Sequence, residues 1–204
     1  GAQATLLDID FGTYPYVTSS HPLSAGVCTG TGVGPMTIDA IYGVAKAYTT
    51  RVGKGPFPTE LNDETGDYIR NKGGEFGTIT GRPRRTGWFD SVIVRHAVRV
   101  NGLSSLVINK LDTLAGLDTL KVCVAYKKPD GTIIKDFPPT LEGLEGCEPV
   151  YEEFEGFNED LSACRKFEEL PEVCRKYISR LEELCECPIS MVGVGPDRAQ
   201  VIER

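Results

Sequence analysis

No apolar run in these 204 residues approaches the roughly 18–20 positions that a membrane-crossing helix needs. Histidine is scarce, with only His21 and His96, and no Ser/His/Asp arrangement accompanies them. Both histidines therefore read as structural. The seven cysteines, Cys28, Cys123, Cys147, Cys164, Cys174, Cys185 and Cys187, form no Cys-x-x-Cys pair. Cys185-Glu186-Cys187 has no further ligand at a zinc-finger spacing. The cysteines read as thiols of a reducing compartment, not as a disulfide framework or a metal site. Nor is there a surplus of positive charge. Lys and Arg number 22 against 29 Asp and Glu, a net of −7. That balance excludes general binding to nucleic acid and requires any anionic ligand to be gripped by a local cluster of cations. No repeat, low-complexity tract or linker divides the chain, and no Gly-Lys-Ser/Thr phosphate loop is present. The opening Gly1-Ala2-Gln3-Ala4-Thr5-Leu6-Leu7 has no signal-peptide pattern, and a first glycine is expected of a fragment or a processed chain.

What remains is ordinary for one globular domain or one lobe of a larger enzyme: 40% hydrophobic and 25% charged residues. Gly26 to Pro35 holds four glycines and reads as a loop. Ile41, Val44, Ala45 and Tyr48 recur at helical spacing, which predicts a helix after it. A surface excursion is expected from Gly53 to Arg85. Phe89, Val92, Ile93, Ala97 and Val100 make an apolar helical face, and Asn101-Gly102 is a stop signal. Leu103 to Ile108 and Lys121 to Tyr126 read as strands. Lys128-Pro129-Asp130-Gly131 is a turn from which Thr132-Ile133-Ile134 returns as a hairpin. Glu148 to Tyr151 is a further strand. Pro171 to Glu186 predicts a helix burying Val173, Tyr177, Leu181 and Leu184, followed by a strand over Ile189 to Val192. The fold class is α/β, with a partly parallel sheet flanked by helices, a β-hairpin and long loops.

Three stretches can carry chemistry. Asn109-Lys110-Leu111-Asp112 follows a strand and has the Asn-Lys-x-Asp form that reads guanine. An ionised carboxylate accepts from guanine N1–H and its 2-amine together, whereas adenine offers an acceptor at N1 and leaves the carboxylate unpaired. Thr78-Ile79-Thr80-Gly81-Arg82-Pro83-Arg84-Arg85 gathers three guanidiniums and two hydroxyls, and the planar fork of arginine suits carboxylate and phosphate. Gly30-Thr31-Gly32-Val33-Gly34 is a weaker candidate for anion binding by backbone N–H groups.

Taken with Gly1-Ala2-Gln3, Thr5 to Asp8, Phe11-Gly12-Thr13-Tyr14-Pro15, Val17 to Ser20, Arg51-Val52-Gly53, Gly55 to Leu61, Gly87-Trp88 and Gly195-Pro196-Asp197-Arg198, these segments resemble the adenylosuccinate synthetase family over essentially the whole chain. The resemblance implies the C-terminal part of that fold and of a larger enzyme. It implies GTP-dependent joining of IMP and L-aspartate in purine biosynthesis, with Mg2+ as cofactor. In that reaction the 6-oxygen of IMP is phosphorylated and the aspartate amine then attacks C6.

By the same resemblance, Gln3, Thr18, Val52 and Arg82 would bind IMP. Thr78, Ile79, Thr80, Gly81, Arg82, Pro83 and Arg84 would form the aspartate loop. Arg84, Lys110, Leu111, Asp112, Val192, Gly193 and Val194 would meet GTP. Residues 1–87 would be a loop-rich IMP and aspartate region, and 88–204 a guanine-nucleotide-binding α/β region. Family members usually have serine at Gly193, which removes one hydroxyl contact here. The phosphate loop, the metal-binding aspartate and the catalytic histidine of the family match nothing in this chain. No catalytic residue and no metal ligand is therefore assigned to it, and it is expected to be inactive alone. A cytoplasmic homodimer is implied for the whole enzyme, with no membrane or nucleic-acid partner. The alternative is a non-catalytic guanine-nucleotide-binding module or a dimerisation scaffold.

Overall fold

A run whose apolar spacing is helical, Ile41 to Tyr48, forms a strand. In the computed structural model, which describes residues 3–204, Tyr42–Lys46 (β1) lies parallel to Ser105–Asn109 (β5), in register from Tyr42 opposite Ser105 to Lys46 opposite Asn109. The apolar period could not reveal β5, which supplies the backbone partners that a helix would otherwise have found within itself. The glycine-rich stretch is also not the loop expected. Ala25–Thr31 (α1) is helical and ends at a left-handed Gly32, whose N–H donates to the Cys28 carbonyl at 2.9 Å.

The excursion between Gly53 and Arg85 likewise contains an unexpected helix, Glu64–Lys72 (α2). Only Ile69 on it is both large and fully buried, so its apolar face is too thin to show as periodicity. Its ends carry the signal instead. Asp63 accepts from Gly66 N–H at 2.9 Å, Glu64 and Asp67 occupy the first turn, and Arg70 and Lys72 the last.

Other elements follow the expected pattern. Ser91–Asn101 (α3) is capped by Asp90, whose Oδ1 accepts from Val92 and Ile93 N–H at 3.1 Å each, and it stops at left-handed Gly102. Leu117–Lys127 (β6) is longer than expected. It turns at Lys128–Gly131 into Ile133–Ile134 (β7) and also pairs antiparallel with Glu148–Phe157 (β8). Glu172–Cys185 (α4) buries Cys174, Tyr177, Ile178, Leu181 and Cys185, one stripe at helical spacing, whereas Val173 and Leu184, expected inside, flank that stripe and are only half-buried. Ile189–Gly193 (β9) follows it.

The main sheet runs β1-β5-β9 in parallel, with Val201–Glu203 (β10) added antiparallel to β9. Two short strands, Thr49–Arg51 (β2) and Arg85–Gly87 (β3), pair antiparallel beside it. Phe89–Asp90 (β4) pairs with β6. Ala47, Tyr48 and Ile69 share one core with Leu106, Ile108, Leu181 and Val192, so the stretches before and after residue 87 are packed as one body. All seven cysteines are free thiols, four of them buried. Burial pushes the Cys174 thiol up to about 12. No helix of the described residues is long and apolar enough to cross a membrane.

Candidate functional site

The parallel strands β1, β5 and β9 end at Lys46, Asn109 and Gly193 respectively. Their carboxyl ends are where open α/β sheets take ligands, and Asn109-Lys110-Leu111-Asp112 begins there. Lys110 stands in the left-handed region (φ 61°), and a tight turn over Leu111–Leu114 follows. Leu111 is fully buried and anchors the turn in the core. Asp112 Oδ1 is buried without a hydrogen-bond partner among the described residues. A buried carboxylate oxygen left open in this way costs stability unless something outside the chain pairs with it. Val192 and Val194 are fully buried, so of the 192–194 stretch only the backbone and Gly193 can face a ligand. A Cβ at Gly193 would stand 2.6 Å from Asn109 Oδ1. The Asn109 amide fills the room that a serine there would occupy.

The 78–84 loop projects from a short bridge between Phe76 and Pro83. It closes through Gly77 N–H to the Arg82 carbonyl and Gly81 N–H to the Gly77 carbonyl. Thr78, Ile79, Thr80, Gly81, Arg82 and Pro83 are exposed, Ile79 at 98%. The three arginines of this segment have different fates. Arg82 makes no side-chain hydrogen bond among the described residues. Arg85 is fully committed to structure: Nε and Nη2 grip Glu60 at 2.7 and 2.6 Å, and Nη1 donates to the Gly53 and Gly55 carbonyls at 3.0 Å each. Arg84 points inward, with Nη1 2.8 Å from Glu75 Oε2.

Glu75 is the residue that sequence reasoning missed. Its side chain is fully buried, yet its oxygens collect Lys46 Nζ at 2.7 Å, the Tyr48 hydroxyl at 2.6 Å and Arg84 Nη1 at 2.8 Å. Lys110 Nζ lies 3.6 Å away and also donates to the Gly73 carbonyl. Burial works to raise the Glu75 pKa, but the bonds from Lys46, Tyr48 and Arg84 outweigh it and hold the carboxyl at about 2. Burial, followed by the bond to Glu75, pushes the Tyr48 hydroxyl well above its ordinary range. The available signal was a lone acid set among Gly73, Gly74 and Gly77 just before an arginine-rich loop. Its partners are Lys46 at the end of β1, Tyr48 just after it, Arg84 of the following loop and Lys110 just after β5, most of them too far away in sequence to be read.

The residues expected at IMP are less gathered. Gln3 and Val52 are exposed, Val52 at 72%, while Thr18 is half-buried with its N–H on the Leu7 carbonyl at 2.8 Å. Gly1 and Ala2, which open the stretch ending at Gln3, lie outside the described residues. Arg51, next to Val52, ties this part together by donating to Thr13 Oγ1 at 2.9 Å and to the Tyr16 carbonyl at 3.2 Å. The β2–β3 pair sets Arg51 opposite Arg85, so the Val52 turn and the base of the 78–84 loop share one frame.

Neither histidine joins the site. His21 Nδ1 lies 3.4 Å from the buried Asp8 carboxylate. His96 sits against the Phe137 ring and the Phe11 carbonyl, and burial lowers its pKa. A hollow of about 470 Å³ lined by Phe167 and Arg204 includes no candidate residue. Among the described residues no three His, Cys, Asp or Glu side chains converge as a metal site. The donor set among the described residues does not fit Mg2+.

A family model described as adenylosuccinate synthetase matches residues 1–202. The chain is 61% identical over 203 residues to the adenylosuccinate synthetase of Heliobacterium modesticaldum, covering 100% of this chain and 47% of that protein. It is 59% identical over 202 residues to that of Caldanaerobacter subterraneus, covering 99% and 47%. The structure of a fully ligated adenylosuccinate synthetase from Plasmodium falciparum superposes with a TM-score of 0.96 at 46% identity, over 100% of this chain and 49% of that one. A cyanophage S-2L succinoaminodeoxyadenylate synthetase, 18% identical with a TM-score of 0.58, shares the fold. The chain spans about half the length of the curated relatives it matches. On its sequence along nearly its whole length, and on its fold, the chain belongs to the adenylosuccinate synthetase family.

Proposed function

We propose that this chain supplies the guanine, aspartate and IMP contacts of an enzyme that ligates IMP and L-aspartate at the expense of GTP. One observation carries the reading. Arg84 of the loop and Lys110 of the guanine motif meet at Glu75, while their neighbours Arg82 and Asp112 keep a guanidinium and a carboxylate oxygen without partners among the described residues. In this proposal Asp112 accepts from guanine N1–H and the 2-amine, with the Lys110 stem along the base. Arg82 takes the aspartate carboxylate on a loop whose exposed tip is free to close over it, and reaches IMP beside Val52 and Thr18. Arg84 spends one N–H group on Glu75 and has four others for an anion. The backbone of Gly193 lines the base pocket between Val192 and Val194.

Phosphoryl transfer and activation of the IMP 6-oxygen fall, in this proposal, to groups outside this chain. In this proposal the phosphate loop, the metal-binding aspartate and the histidine lie in the half of the family's length that this chain does not cover. The C-terminal placement of this half, the cytoplasmic setting and a homodimeric whole enzyme belong to the same proposal. Each absent group typically supplies a factor of about 10²–10⁴. The purified 204-residue chain should therefore form no adenylosuccinate from IMP, aspartate and GTP, while the same segment within its complete coding sequence should. Turnover by the chain alone, free of contaminating enzyme, overturns this division of labour. A glycine-rich phosphate loop encoded after this segment and not before it overturns the C-terminal placement.

A further inference from the structure

Among the buried carboxylates that the functional reading leaves unused, Glu75 lies at the candidate site. Glu75 touches neither proposed ligand, yet it holds residues from both proposed ligand regions. Its Oε2 takes Arg84 Nη1 at 2.8 Å, and its main-chain carbonyl accepts Arg84 N–H at 2.9 Å. Its Oε1 takes Lys46 Nζ and the Tyr48 hydroxyl, with Lys110 Nζ at 3.6 Å. Lys46 also donates to Thr50 Oγ1 at 3.0 Å on β2, the strand leading to Val52.

The backbone here is as close as the side chains. A Cβ on Gly73 would stand 2.4 Å from the Tyr48 hydroxyl and 3.2 Å from Thr113 Cγ2, so only glycine lets the end of α2 press against the guanine turn. Three cations around one carboxylate leave two positive charges in excess, and all three side chains are partly open to solvent. Without the carboxylate, Lys46, Arg84 and Lys110 would repel one another in a space of low dielectric.

We infer that Glu75 is a positioning residue that sets Arg84 of the 78–84 loop and Lys110 of the guanine turn in one register, so that the order of both segments depends on a single carboxylate. The proposal deepens the functional reading above and rests on it for the identity of the ligands. The geometric coupling can be tested without ligands.

Glu75→Gln keeps the size and one oxygen but turns an amide N–H₂ towards an N–H donor. Amide hydrogen exchange, followed residue by residue in the 204-residue chain, should quicken at least tenfold in both 77–84 and 110–115, with α4 unchanged. In the full-length enzyme the KM values for GTP and aspartate should rise together, at least fivefold. Glu75→Asp keeps the charge, is one methylene shorter, and should partly rescue all three readouts. Faster exchange confined to one segment, or spread equally over α4 and β6 with both KM values unchanged, makes Glu75 an ordinary core residue and overturns the proposal. If Glu75→Gln does not fold, Glu75→Asp is judged by the same criterion, with at least threefold changes in both segments. An unchanged GTP preference in Asp112→Asn would overturn the functional reading alone, and the exchange data would still decide the case of Glu75.

Discussion

Two of the fully buried carboxylates, Glu75 and Asp90, have surroundings that drive them in opposite directions. Glu75, at the carboxyl ends of the main sheet, is ringed by Lys46, Arg84 and Lys110 and is held at about 2. Asp90, at the start of α3, is wholly buried. It meets the Tyr126 hydroxyl at 2.7 Å and two backbone N–H groups, and burial pushes it up to about 6. Neutral donors satisfy a buried carboxylate but do not replace the solvation of its charge, whereas cations do. The Asp90 environment is closed and needs nothing more. The Glu75 environment carries surplus positive charge that reaches solvent through Lys46, Arg84 and Lys110. One is a cap, and the other holds three cations around a single carboxylate.

The comparison is sharpened first at the rim of the charged cluster. Asp112→Asn in the full-length enzyme should weaken GTP by roughly 1.5–3 kcal/mol, or about 10- to 150-fold, because the new amide turns a donor towards a guanine donor. XTP, whose 2-oxo group accepts, should improve as phosphoryl donor. Equal losses for both nucleotides, with the melting temperature intact, would make Asp112 only a loop residue.

Next come two arginines three positions apart. Arg82→Lys keeps the charge but loses the fork, so the apparent aspartate constant should rise at least about tenfold, near 1.4 kcal/mol, with no change in melting temperature. Arg85→Lys breaks the paired grip on Glu60 and two carbonyl contacts, and should instead lower the melting temperature by a few degrees. A reversed pattern would place the ligand face of the loop wrongly.

The smallest effect is expected at the cap. The raised pKa of Asp90 means that the folded chain binds its proton more tightly than the unfolded chain between about pH 4 and 6. Its contribution to stability therefore falls as pH rises through that window and is level above it. Glu75 behaves oppositely: its contribution is present above the ordinary carboxylate range and is lost as pH falls towards about 2. Asp90→Asn keeps an acceptor for the helix N–H groups and carries no charge. Relative to wild type, urea midpoints should show the pH 4–6 slope removed and a gain of about 1 kcal/mol at pH 7. A variant less stable at pH 7, with the slope retained, would show that the cap needs the charge.

Much of this was legible in the residues. α3 and α4 carry apolar stripes, and Asn101-Gly102 marks the end of α3. The hairpin at Lys128–Gly131 follows from turn chemistry, and the strand running up to Asn109 from its apolar run. The sequence determined these because each needs only neighbours a few positions away. It misled at β1, where helical spacing yielded to a strand paired with β5, sixty-odd residues on. It was silent at α2, whose single fully buried large apolar residue gives no period, and at Glu75, an acid among glycines. Only the tertiary structure could decide those. The partners of Glu75 come from β1, from the loop beyond it and from the turn after β5, and the energy of a charge depends on what surrounds it in space.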